Sequence, residues 1–134
     1  MHATMSIAVI GICLLLLGPS AHAHHSFAAE FDAKKPVNLR GVVTRVEWIN
    51  PHTWIHIDVK GPNGQLVKWM IEGGSPNALF RRGVTKASLP LGTEIVVDGY
   101  QARSVTKRAN GRDLTFANGA KFQLGGGPGE GAPN

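Results

Sequence analysis

Cysteine is nearly absent. The 134-residue chain has one, Cys13, and it sits inside the most apolar stretch of the sequence. An intrachain disulfide is therefore excluded, and so is a zinc site built on several thiolates. Acidic residues are also sparse, with nine Asp and Glu against 14 Lys and Arg, for a net charge of +5. Glu47, Glu72 and Asp98 stand as single carboxylates with no evident pair, and Ser75, Ser88 and Ser104 lack a Gly-x-Ser-x-Gly setting. Hydrolysis thus has no candidate machinery, and no catalytic residue is assigned. A hydrophobic run long enough to span a bilayer, about 20 residues, is missing too.

The longest apolar run, Ile7 to Gly18, is short but placed to mean something. Pro19, Ser20 and Ala21-His22-Ala23 follow it, which is the small-residue pattern of a secretory cleavage site. The n-region has no Lys or Arg, which departs from the usual signal. The pattern predicts that residues 1–23 are a signal peptide cut after Ala23, taking Cys13 with them. The remaining 111 residues then lie in the periplasm or outside the cell, with no stable membrane insertion. That length suits one domain with a modest core. The positive charge suits solubility and a weak attraction to anionic partners.

Residues 24–36 (HHSFAAEFDAKKP) read as an N-terminal arm, with Phe27 and Phe31 spaced for one helical turn or for docking an extended segment. A first strand is expected from Val37 to Trp48. Its apolar residues change parity near Gly41-Val42, which predicts a β-bulge there. Asn50-Pro51 ends the strand. The second strand, Thr53 to Lys60, alternates cleanly: Ile55, Ile57 and Val59 face one side, and Trp54, His56, Asp58 and Lys60 the other. Gly61-Pro62-Asn63-Gly64 turns the chain into a third strand, Leu66 to Glu72, with Val67, Trp69 and Ile71 on its core face.

Ser75-Pro76 then starts a short helix that Gly83 stops, with Leu79 and Phe80 as the residues to bury. A fourth strand from Thr93 to Tyr100 carries Ile95 and Val97 inward. Ser104 to Arg112 reads as an exposed loop, Asp113 to Ala117 as the fifth strand, and Asn118-Gly119 as a hairpin into Lys121 to Leu124. Three meandering strands, a helix and two more strands make an all-β fold with one short helix. The order is that of a five-stranded OB-like barrel over residues 37–124. The Gly/Pro-rich tail, residues 125–134, has almost nothing to bury and is expected to be disordered.

HHSFAAEFD, VEWINPHTWIHIDV, WMIEGGSPNALFRRG and LGTEIVVDGY, in that order, resemble a family of small exported bacterial proteins, domain of unknown function 6152. The resemblance runs from His24 to about Phe122 and implies the compartment. It implies no activity, substrate or cofactor.

Candidate site residues gather on the second strand and its corner. Asn50, His52, Trp54 and His56 are the expected ligand-binding set, for an unidentified periplasmic ligand or protein; nucleic acid is not expected. Trp54 has the parity for exposed stacking. His52 suits a bond to the loop backbone, and Asp58 a role in orienting His56. The alternative is copper. Once cleavage makes His24 the first residue, its amine and imidazole with His52 or His56, and His25 as a further candidate ligand, would supply nitrogen ligands that Cu(II) prefers.

Overall fold

The computed structural model describes residues 27–128, a mostly β fold with one short helix. Its elements are β1 (Phe31–Glu47), β2 (Trp54–Lys60), β3 (Leu66–Glu72), α1 (Pro76–Arg81), β4 (Glu94–Ala102), β5 (Arg108–Phe116) and β6 (Lys121–Gln123). The sheet order is β3-β2-β1-β4-β5-β6, with neighbours antiparallel. One further pairing, parallel, joins Met70–Glu72 of β3 to Arg108–Asn110 of β5.

The alternation of β2 holds. Ile55 and Ile57 are fully buried, while Trp54, His56 and Asp58 are only partly covered on the other face. Ile55 and Ile57 join Leu39, Val43, Trp69, Ile71, Leu79, Ile95, Val97, Ala109, Leu114 and Leu124 in the core, and Trp48 packs against it. α1 starts as its sequence dictates: Ser75 Oγ accepts a hydrogen bond from the Ala78 amide and Pro76 takes the first helical position. Gly83, at φ +89°, ends it, and the Val84 amide folds back onto the Leu79 carbonyl. The helix buries Ala78 and Leu79 rather than the expected Leu79 and Phe80. Phe80 stays 40% exposed and stacks on Trp48 at 5.4 Å.

Several boundaries differ from expectation. β1 begins at Phe31, six residues early, because the end of the arm pairs with β4: Phe31 lies opposite Ala102 and Pro36 opposite Tyr100. Residues 27–30 form the helical turn before it. The bulge against β2 falls at Thr44, between the pairs Val43↔Ile57 and Arg45↔His56, and not at Gly41-Val42. Val42 is 40% exposed, so the inward set Leu39–Gly41–Val43 continues past Gly41 before it switches. Gly41 serves close approach instead, since a Cβ there would lie 2.8 Å from the Asp58 carbonyl.

β5 starts at Arg108, inside the segment expected to be a loop. Arg108–Asn110 pairs with β3 there, and a Cβ on Gly111 would lie 2.6 Å from Leu124 and 2.8 Å from Ile71, so the close packing beside β3 needs glycine. The beginning of the tail is packed rather than free: Gly126 and Gly127 are buried, and Gly74 donates to the Leu124 carbonyl.

Candidate functional site

Cross-strand pairing builds a polar outer face in two rows. Glu47, Trp54, Glu72 and Asn110 lie side by side across β1, β2, β3 and β5, and Arg45, His56, Met70 and Arg108 form the adjacent row. The corner enters at one end. The Asn50–Pro51 peptide is cis, and Thr53 exchanges backbone hydrogen bonds with Gly73 and Gly74 at 2.8 and 2.9 Å. This clip fixes where His52 and Trp54 leave the corner.

Arg108 is the hub of the first group. Its guanidinium lies 5.1 Å above the Trp54 ring and 5.3 Å above Phe31. It donates to Glu30 and, at 3.4 Å, to Glu72. Glu72 is only 7% exposed. Burial pushes its carboxyl above the ordinary glutamate value, against the opposing pull of His52 and Arg108. His52 Nδ1 lies 3.7 Å from Glu72, so its imidazole faces a carboxylate rather than the expected loop backbone. Phe27 closes the far side, edge-on to Tyr100 and tilted against Phe31.

Glu47 organises the second group. One carboxylate oxygen accepts from Arg45 Nη2 at 2.7 Å, and the other lies 2.7 Å from His56 Nε2. The bond from His56, first, and the nearby Arg45 hold the Glu47 carboxyl below its ordinary value. Glu47, not Asp58, is thus the partner that orients His56. Beside it a groove of about 320 Å³ is lined by Thr44, Arg45, His56, Ile57 and Lys68. A second concavity, about 370 Å³, lies between Tyr100, Arg112, Asp113 and the glycines at 126 and 127.

The structure therefore brings His52 and Trp54 to one cluster and gives His56 to another, while Asn50 is exposed at the corner. Trp54 has one ring face taken by Arg108, so its expected open stacking surface is reduced to what Arg108 leaves. His24 and His25 lie outside the described residues. Among the described residues no three His, Cys, Asp or Glu side chains gather as a metal site. Sequence reasoning missed Glu30, Glu47, Glu72 and Arg108. Glu72 was legible as the polar-parity end of the third strand, next to Trp54 once the strands are paired; Arg108 was hidden by the loop reading.

No curated protein matches the chain. A family model does match, over residues 13–111, about three-quarters of the sequence and including the corner, β2, β3 and Arg108. The chain belongs to that family, described as a family of unknown function, DUF6152.

Proposed function

We propose that this chain is an exported, non-enzymatic binding module built on an OB-like barrel. The strand order supports the barrel. β1 lies between β2 and β4, and the parallel β3–β5 pair lets the order β1-β2-β3-β5-β4 return to β1, with α1 between β3 and β4. β6 extends β5 beyond that ring. Export is supported by the Ile7–Gly18 run with Ala21-His22-Ala23 after it.

The observation that carries the binding reading is the outer face of β2. Trp54 and His56 are half-exposed there and held in place by Arg108 and Glu47, although neither is needed by the core beneath. Rigid aromatic and polar groups on a fixed strand are suited to capturing a ligand. The ligand is a periplasmic molecule or protein reached from this face and from the Asn50-Pro51-His52 corner. Tryptophan emission of the purified protein, titrated with a panel of oligosaccharides, tests it. A saturable change that disappears in Trp54→Phe and persists in Trp48→Phe is expected. No response, or an equal response in Trp54→Phe, sinks the reading. Mass spectrometry of the secreted product should give His24 as the first residue.

Copper binding is a second reading, favoured by one separate observation. Phe27 packs on Phe31, and Phe31 lies against Arg108, which bonds the Glu72 partner of His52. The pair His24-His25 precedes Phe27 by only a few residues. Copper titration of the cleaved protein, against a version with one extra N-terminal residue, decides it; equal affinity removes the α-amine from the site.

A further inference from the structure

We infer that the groove between Thr44 and Lys68 is a binding site for a tetrahedral oxyanion, a phosphate or sulfate group, carried by the ligand of the outer face. The inference rests on reading the outer face of β2 as the working surface. Its first support is the bulge. Arg45 is two residues after Val43, which is 1% exposed, and in a regular strand with no bulge at Thr44 it would share that inward direction. The bulge sets it beside His56 on the outside, with 65% of its side chain exposed.

The second support is the behaviour of Glu47. Its two oxygens are divided between Arg45 and His56, so these donors already hold one oxyanion between them. Arg45 uses one of its five N–H donors in that bond and keeps others for a ligand. Lys68 adds a second cation, exposed on β3 across β2 from Arg45. The negative groups around the groove are Glu47 and Asp58. Asp58 pairs across the strands with Lys68 but does not line the groove, and one of its oxygens is buried. The groove lining itself thus carries two cations and an imidazole, with Glu47 bonded to Arg45 and His56 at one side and Asp58 beside Lys68 at the other. A phosphate or sulfate oxygen can replace each Glu47 oxygen in turn, while a third reaches Lys68. Guanidinium and ammonium groups form their strongest hydrogen bonds to such oxygens.

The test uses protein purified from cells expressing the full 134-residue sequence. Backbone NMR shifts are followed during titration with inorganic phosphate, with inorganic sulfate, and with chloride at matched ionic strength. Thr44, Arg45, His56 and Lys68 should shift saturably with phosphate or sulfate and not with chloride; which of the two saturates first identifies the group. Arg45→Gln and Lys68→Gln should each weaken the affinity about tenfold. Glu47→Gln, which removes the resident competitor, should strengthen it. Melting curves of each variant verify that the fold is retained. Absence of saturable shifts at these four residues, or parental affinity in both cation variants, overturns the inference. If the groove is silent while Trp54 emission responds to an oligosaccharide, the oxyanion site is wrong and the outer-face reading survives. If both are silent, both fall.

Discussion

Glu47 and Glu72 flank Trp54 from the two neighbouring strands, yet they titrate in opposite directions. Burial raises Glu72, because taking its carboxylate from water costs more than His52 and Arg108 return. Its protonated form thus favours the folded state: that stabilisation is complete below the ordinary value of 4.5 and is lost as pH rises through the folded value. Glu47 is lowered, so its stabilisation is present above 4.5 and is lost as pH falls through the folded value. Denaturant melts at several pH values should separate the two. Relative to the parent, Glu72→Gln should gain stability as pH rises from 4.5, and Glu47→Gln should gain it as pH falls below 4.5. Differences that do not vary with pH would remove both assignments. Arg108 makes a larger contribution, since it covers two aromatic rings and bonds two carboxylates. Arg108→Ala should cost about 2–4 kcal/mol in chemical denaturation, because it leaves the buried Glu72 without its cation. The Arg108 bonds reach Glu72 and Glu30 from 36 and 78 positions away, while Glu47 and His56, nine apart, meet through the β1–β2 pairing. Trp54, His56 and His52 were legible as candidates from parity and from the corner. Of their partners, Glu72 was legible by its parity at the end of the third strand, while Glu47 and Arg108 were not, because only strand pairing brings them near.

At the scale of elements, the legible parts were those with a strong local signal. β2 alternates, α1 has its Ser-Pro start and glycine stop, and Asn118-Gly119 turns β5 into β6. The illegible parts depend on neighbours. Pro36 and two lysines argue against a strand before Val37, yet the register along β4 draws Phe31–Pro36 into β1. The six residues Phe31–Pro36 of β1 lie opposite the three residues Tyr100–Ala102 of β4, an irregularity that no local pattern encodes. The start of β5 is similar. Gly99 and Gly111 face each other where β4 and β5 slip in register. A Cβ on Gly99 would lie 2.1 Å from the Asn110 carbonyl oxygen, a backbone atom that cannot rotate aside. Gly99→Ala should therefore lower stability by about 3 kcal/mol, at the upper end of overpacking costs. Gly92→Ala is a contrasting control with a separate cause: it has open space around its Cβ and a φ of +87°, so its cost comes from backbone conformation alone and should be about 1 kcal/mol. Urea melts of the two variants compare the mechanisms directly.

For the whole molecule, the end of the described chain closes the structure. Leu124 is fully buried, next to Ile71 and Gly111, and so belongs to the core that β1 to β5 share. Its backbone ties two distant segments: the Leu124 amide donates to the Arg112 carbonyl at 2.8 Å, and its carbonyl accepts from Gly74 at 2.7 Å. Gly74 in turn accepts from Thr53, so a chain of backbone bonds runs from the tail through the start of α1 to the corner that presents His52 and Trp54. The outer face is thus positioned partly by residues at the far end of the sequence. Ending the chain after Gln123 removes the Leu124 side chain, worth about 1.5–3 kcal/mol of burial, and two hydrogen bonds of about 1 kcal/mol each. Ending it after Pro128 keeps all three. The shorter variant should be about 3.5–5 kcal/mol less stable than the longer in denaturant unfolding. It should also lose hydrogen-exchange protection at the Thr53, Gly73 and Gly74 amides before the β1–β4 amides. Equal stability of the two variants would mean that the corner is held by β2 and β3 alone.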